Sequence, residues 1–264
     1  MQIYKELNIG TAKPTAAQMG GIRHHMIDVS PISEPFCVAA YAKMAGECAQ
    51  DIASRGKNVI VCGGTGLYID HFLGSTKFTQ CENDPAYRNE LNELPSGRLH
   101  AMLEAVDEKS ASLIHRNNKK RIVRALEIFK ITGKTKSEQD ESSKAGEPAY
   151  DFVKIGLDYL GRELLYENID RRTDQMIEAG LVEEARKLYE SGAEASVRRV
   201  GAIGYAELFD FFAGTRGFGE AIEKIKQHTR NYAKRQLTWF RKDPRAIWLE
   251  PDGGCVKKIL GIIS

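Results

Sequence analysis

The sequence predicts an α/β protein whose parallel sheet is interrupted by an all-helical insertion. Three observations lead there. Residues 59–62 (Val59-Ile60-Val61-Cys62) form a short apolar run that reads as a fully buried strand and leads directly into Gly63-Gly64-Thr65-Gly66 and a helix from Leu67. Two further strands come late: residues 152–157 alternate apolar and polar, and residues 246–249 (Ala-Ile-Trp-Leu) are a compact apolar run. Between Asp84 and about Glu141 only helical patterns occur. An α/β core at 1–78 and 150–264, with a helical insertion at 79–149, accounts for all three.

In chain order, residues 1–31 read as irregular, with turns at Gly10, Pro14 and the Gly20-Gly21 pair. Residues 38–54 are predicted helical: Val38, Tyr41, Ala42, Ala45, Ala49 and Ile52 make an apolar stripe, and Gly56 ends it. The run at 59–62 follows. Gly63, Gly64 and Gly66 permit a tight turn and close approach to a ligand. That places Thr65 at the carboxyl end of the strand, where open α/β sheets put their sites, with the first amides of helix 67–72 suited to an anion. A glycine-rich turn kept only for packing is the alternative. In the insertion, Asp84-Pro85 starts a helix, residues 107–115 give another, and Asn118 caps a third that ends at Gly133. Residues 134–148 read as a polar loop. After the strand at 152–157, helices over 162–179, 182–191 and 202–213 each end at a glycine, and a long helix runs from 219 to about 241.

Composition narrows the function classes. With 42% hydrophobic and 28% charged residues the chain can build an ordinary core, and a net charge of +2 leaves any nucleic-acid site to local clustering. The five cysteines are scattered without Cys-x-x-Cys spacing, which argues against a zinc site or a disulfide framework. His24-His25 lacks a partner at helical spacing and reads as a structural pair, so no protein-built metal site is expected. No apolar run reaches membrane-spanning length and the start has no signal-peptide pattern, so a cytoplasmic protein without membrane partners is the default.

The long helix has two faces. Ile222, Ile225, Thr229, Tyr232, Ala233, Gln236, Leu237 and Phe240 follow helical spacing and are predicted to pack inward. Lys226, Arg230 and Lys234 lie on consecutive turns of another face, with Arg235 and Arg241 toward the C-terminal end, where cations complement the helix dipole. Residues 228–241 contain no carboxylate, and their basic residues interleave with Tyr232, Trp239 and Phe240. That mixture suits a phosphate backbone and unstacked bases better than a plain solvated face. Lys120, Arg121 and Arg124 repeat the theme in the insertion, so that two basic surfaces would flank a cleft. Arg162, Arg171 and Arg172 share one helix and suit a diphosphate, or else pair with Glu163, Glu167 and Asp170.

These motifs occur in a fixed order: Gln2-Ile3-Tyr4, Ile9-Gly10-Thr11-Ala12-Lys13-Pro14, His24-His25-Met26-Ile27-Asp28, Gly63-Gly64-Thr65-Gly66-Leu67-Tyr68, Arg124-Ala125-Leu126-Glu127, Ile203-Gly204-Tyr205, and the run from Thr229 through Arg235 to Arg241. Over essentially its whole length the chain closely resembles the bacterial tRNA dimethylallyltransferases, also called tRNA isopentenyltransferases. The resemblance implies a P-loop-NTPase-like α/β core with a helical insertion that clamps tRNA. It implies transfer of a dimethylallyl group from dimethylallyl diphosphate to N6 of the adenosine 3′-adjacent to the anticodon, with Mg2+. The expected partners are the tRNA anticodon stem-loop and dimethylallyl diphosphate, engaged by a monomer.

Carried over by position, Thr65 resembles the hydroxyl at the reacting centre, with Gly63, Gly64 and Gly66 in its substrate-binding turn. Met1 and Gln2 resemble the segment that reads the adenine. Arg88 on the insertion, then Lys120, Arg121 and Arg124, resemble tRNA contacts; on the long helix Arg230, Lys234, Arg235 and Arg241 are expected to bind tRNA from the charge pattern above. Arg162 and Arg172 resemble diphosphate or structural arginines, although Asn168 stands where a third arginine is expected. The family pattern also carries a strand, a phosphate loop Gly-x-[Thr/Ser]-x-[Ser/Gly]-Gly-Lys-[Thr/Ser] and an Asp-Ser pair ahead of Met-Gln-Ile-Tyr. This sequence starts at that Met and holds no substitute. The expectation is a chain that lacks the loop, its lysine and the general-base aspartate, and is inactive unless they are supplied from elsewhere. The rivals are a catalytically inactive tRNA-binding homologue and an adenylate isopentenyltransferase acting on free nucleotide. The helical insertion and the basic helix argue against the latter.

Overall fold

The structure, a computed structural model, describes residues 1–74, 84–143 and 148–263. In chain order a short 3-10 turn (Ile9–Thr11) precedes α1 (Val38–Ser54), α2 (Gly66–Phe72), α3 (Pro85–Glu93), α4 (Ser96–Val106), α5 (Glu108–Leu113), α6 (Lys119–Thr132) and α7 (Lys136–Ser143). Then come β1 (Lys154–Leu157), α8 (Arg162–Glu178), α9 (Leu181–Glu190), α10 (Glu194–Val200), α11 (Tyr205–Phe212), α12 (Phe218–Phe240), β2 (Ala246–Leu249) and α13 (Cys255–Ile263). The chain divides into two compact units, Met1–Gly66 with Phe152–Ser264, and Leu67–Asp151.

The first unit is built around α11. Tyr205, Leu208 and Phe209 are fully buried and pack with Leu181 and Ala185 of α9, Val197 of α10 and Ile225 of α12. The segment read as irregular joins this core through Ile3, Tyr4, Leu7 and Ile32. It is ordered by backbone hydrogen bonds in place of regular structure: the Ile3 carbonyl accepts from the Val29 and Ser30 amides at 2.9 and 3.0 Å, and Tyr4 and Ser30 form an isolated parallel bridge. β1 and β2 pair in parallel, Lys154 opposite Ala246 through Leu157 opposite Leu249. The Lys154 ammonium, 2.7 Å from Asp243 Oδ2, ties the start of β1 to the turn before β2.

In the second unit the stripes of α3, α4, α5 and α6 close on Leu91, Leu99, Leu103, Ile122 and Leu126. Side-chain caps set the starts. Asp84 Oδ1 accepts from Tyr87 N at 2.9 Å, Asp107 Oδ1 from Ser110 N at 3.0 Å and Asn118 Oδ1 from Arg121 N at 3.3 Å. Each satisfies an orphan amide of a first turn. Gly133, at φ 68°, closes α6 in the left-handed conformation that glycine adopts without strain.

Two sequence expectations are corrected. Residues 59–62 are not a buried strand: among the described residues they pair with nothing, Ile60 is 90% exposed, and Val59 and Val61 are each 39% exposed. An apolar run becomes a buried strand only where strands or helices cover it, and the described sheet ends at β1 and β2. Residues 136–143 are helical where a loop was expected. Thr135 Oγ1 accepts from Glu138 N at 3.2 Å while the Glu138 carboxylate accepts from Thr135 N at 2.7 Å, a reciprocal cap that starts α7 despite its polar composition. α10 and α13 also form where no helix was read.

Candidate active site and nucleic-acid interface

The Gly63-Gly64-Thr65-Gly66 turn lies on α12. Gln236 Nε2 donates to the Gly64 carbonyl at 3.0 Å and the Tyr232 hydroxyl reaches the same oxygen at 3.4 Å. Gly66 is buried against Trp239, so close that a Cβ there would stand 2.1 Å from the indole ring. The missing side chain is therefore what lets the turn seat on the helix, while Thr65 between these two glycines stays exposed. The turn that carries Thr65 is thus seated on a helix that also bears Lys226, Arg230, Lys234 and Arg235.

Those cations differ in their surroundings. Arg230 Nη1 is 2.6 Å from Asp170 Oδ1 on α8, and Arg241 Nη2 is 2.5 Å from Asp158 Oδ2. Lys234 and Arg235 are exposed, the former 5.7 Å from the Tyr166 ring centroid and the latter 5.6 Å from that of Tyr232. Arg235 also lines a cavity of about 260 Å³ with Ile203, Glu207, His228 and Asn231. Arg162 opens α8 and Arg172 lies nearly three turns further along; both are exposed. A cation in the first turn opposes the helix dipole, so Arg162 contributes nothing to helix stability there.

The N-terminal segment is clamped. Gln2 Nε2 donates to the Thr11 and Ala12 carbonyls at 3.0 and 2.9 Å, which fixes the amide and leaves its oxygen as the remaining acceptor. Met1, next to it, has a half-exposed side chain, and its amine is held below its ordinary pKa by burial and then by Lys13. The 3-10 turn is gripped by Glu184 of α9, whose carboxylate accepts from the Ile9 amide at 3.0 Å, from the Asn8 and Gly10 amides at 3.3 Å, and from the Tyr205 hydroxyl at 2.5 Å. Burial, and then that carboxylate, push the Tyr205 phenol far above its usual range, so it stays a proton donor. Lys13, with a side chain only 7% exposed, reaches Asp28 Oδ1 at 2.5 Å and Asn8 Oδ1 at 2.8 Å.

In the second unit Arg88 of α3 and Arg124 of α6 both pair with Glu127, at 2.6 and 2.7 Å. Lys120 and Arg121 are exposed in the first turn of α6.

The profile described as IPP transferase matches residues 2–243. The chain belongs to the IPP transferase family. It is 44% identical to a tRNA dimethylallyltransferase of Bacillus cytotoxicus over 100% of this chain and 84% of that protein, and 42% identical to the one of Halalkalibacterium halodurans over 99% and 84%. Among solved structures, the full-length tRNA isopentenylpyrophosphate transferase of Bacillus halodurans superposes with a TM-score of 0.69 at 40% identity, covering 99% of this chain and 82% of that one. A eukaryotic dimethylallyltransferase acting on tRNA gives a TM-score of 0.78 at 28% identity, over 95% of this chain and 65% of that one. The small parallel sheet with mostly helical surroundings is the IPP transferase fold as these neighbours show it.

Sequence reasoning missed Glu184, Tyr205, Gln236 and Glu127 as organisers of candidate site residues. Glu184 meets the 3-10 turn from more than 170 positions away, and no local pattern announces such a contact. The Glu127 role had a readable signal: a carboxylate inside the apolar stripe of α6 needs a buried partner. Among the described residues no group of three or more His, Cys, Asp or Glu could hold a metal ion, and no helix is long and apolar enough to cross a membrane.

Proposed function

We propose that this chain transfers a dimethylallyl group from dimethylallyl diphosphate to N6 of the adenosine 3′-adjacent to the anticodon of tRNA. The observation that supports the reading is the seating of the Thr65 turn on α12, a helix that also carries Arg230, Lys234 and Arg235. N6 forms the new bond to the allylic carbon, the carbon–oxygen bond to diphosphate breaks with its electron pair leaving on oxygen, and N6 gives up a proton to a base. Thr65 donates a hydrogen bond to the leaving oxygen as charge develops, which is where a fixed donor lowers the barrier most. Arg162 and Arg172 neutralise the departing diphosphate. Met1 and Gln2 read the adenine, unstacked to reach the allylic carbon. Arg230, Lys234, Arg235 and Arg241, with Arg88, Lys120, Arg121 and Arg124 of the other unit, hold backbone phosphates.

For Mg2+, no group of three or more His, Cys, Asp or Glu among the described residues could hold an ion, so Mg2+ would be carried mainly by the diphosphate oxygens. The 264 residues also contain no Gly-x-x-x-x-Gly-Lys-[Ser/Thr] loop. The test adds a strand–loop–helix segment of that pattern ahead of Met1 and incubates the protein with dimethylallyl diphosphate, Mg2+ and an anticodon stem-loop. Mass spectrometry is expected to show one added dimethylallyl group on the adenosine beside the anticodon. An extended chain that binds the RNA but leaves its mass unchanged would overturn the transferase reading.

A further inference from the structure

Glu127 lies in the middle of α6 with 0% exposure, flanked by the buried Ile122, Val123, Ala125, Leu126 and Ile128. Its Oε2 accepts from Arg88 Nη2 at 2.6 Å and from Arg124 Nη1 at 2.7 Å, and its Oε1 accepts from the Asp84 amide at 3.1 Å. Burial pushes this carboxyl up, and hydrogen bonds from Arg88, Arg124 and the Asp84 amide outweigh it, so the group is held ionised below its ordinary pKa. Two guanidiniums from different helices therefore meet on one oxygen atom. Without the carboxylate they would repel and separate. One arginine would neutralise the buried charge, so the second leaves the trio with a net positive charge. Each arginine side chain keeps about two-fifths of its surface exposed, 40% for Arg88 and 39% for Arg124. A guanidinium has five N–H donors in a planar fork.

We infer that Glu127 is a positioning residue for RNA recognition: it holds the Arg88 and Arg124 guanidiniums side by side as a preformed seat for one backbone phosphate, without touching the RNA itself. The inference rests on the tRNA-binding role proposed above. Two adjacent planar forks match the oxygens of a phosphate, and fixing them beforehand removes the ordering cost of two long side chains. Lys120 and Arg121, exposed in the first turn of the same helix, extend the positive surface from that seat.

The test uses the full chain and a labelled anticodon stem-loop, with the dissociation constant measured at several salt concentrations. Glu127→Gln removes a negative charge, so long-range electrostatics alone predicts tighter binding. Loss of the seat predicts the opposite: affinity weaker by about tenfold and a salt slope shallower by about one. Unchanged or tighter binding by a folded Glu127→Gln protein overturns the inference. Should circular dichroism show that this variant does not fold, Arg88→Lys, Arg124→Lys and their double variant decide. They keep the charge and lose the fork, so each is expected to weaken binding several-fold, with the pair costing much less than the product of the two. Single effects near unity, or a double effect equal to the product, overturn it. A wild-type chain without salt-dependent binding to the stem-loop overturns the RNA-binding reading and this inference together. Wild-type binding with an indifferent Glu127→Gln sinks the inference alone.

Discussion

Thr65 stands between two glycines whose contacts with α12 are fixed, so its hydroxyl position is set by its neighbours and not by contacts of its own. That isolates the hydroxyl as the variable. In the loop-extended chain described above, Thr65→Ala is expected to lower turnover by roughly ten- to a thousand-fold, the range for removing one donor at a developing charge. Thr65→Ser should keep most of the activity, because it keeps the donor. Steady-state rates with dimethylallyl diphosphate and the anticodon stem-loop check this, and a fully active Thr65→Ala would assign the residue to packing alone. At this scale the sequence was informative where chemistry is local. The Gly-Gly-Thr-Gly spacing marks a tight turn, read as a close approach to a ligand with packing as the alternative, and the neighbour that Gly66 meets in the structure is the Trp239 side chain. It was silent where the partner is remote. Glu184 is one acidic residue in the first turn of an amphipathic helix, and only the fold brings the Ile9 and Gly10 amides to it.

Among the elements, those with both a period and a stop were read correctly. α1 ends before Gly56 and α6 before Gly133, where an apolar stripe meets a glycine that takes the left-handed conformation. β1 and β2 were legible as short apolar segments between breakers. Residues 59–62 look the same in sequence and are not paired, because period and composition describe a strand's faces and say nothing about whether neighbours exist to cover them. A pair of four-residue strands is marginal by itself, so what ties its ends matters. Asp243 does this from the turn before β2. Hydrogen bonds from Arg245 act most strongly on its carboxyl, burial opposes them, and Lys154 adds to them, so its pKa in the folded protein lies far below the usual carboxylate range. A depressed folded-state pKa means that the stabilisation is present above the unfolded pKa, about 4, and is lost as pH falls through the folded value. Asp243→Asn is therefore expected to lower stability by roughly 1–3 kcal/mol at pH 7, as for a lost charge-assisted bond. The gap to wild type should shrink as the pH falls below about 4. Urea unfolding at neutral and acidic pH measures it, and a gap that is absent at pH 7 or grows on acidification would contradict this account.

For the whole molecule, the surface of the first unit is where the structure departs most from a sequence-based expectation. Ile60 is 90% exposed between the half-exposed Val59 and Val61, and Leu160 is also 90% exposed. Consecutive β-branched residues without a charge among them are the pattern of an aggregation-prone segment, and here the segment is in contact with solvent in the folded state. The purified chain is therefore expected to self-associate as its concentration rises, even though its helical core is well packed. Ile60→Lys separates this from an effect of core stability. A side chain so exposed contributes little to folding, so the substitution should change unfolding free energy by no more than about 0.5 kcal/mol. It should nonetheless raise the soluble fraction, because a lysine within a strand-like segment blocks pairing between copies. Light scattering across a concentration series, with urea unfolding on the same samples, reads both quantities. If Ile60→Lys instead unfolds the protein while wild type stays monomeric, residues 59–62 are covered in solution, and the buried strand expected from the sequence would be the better description of that segment.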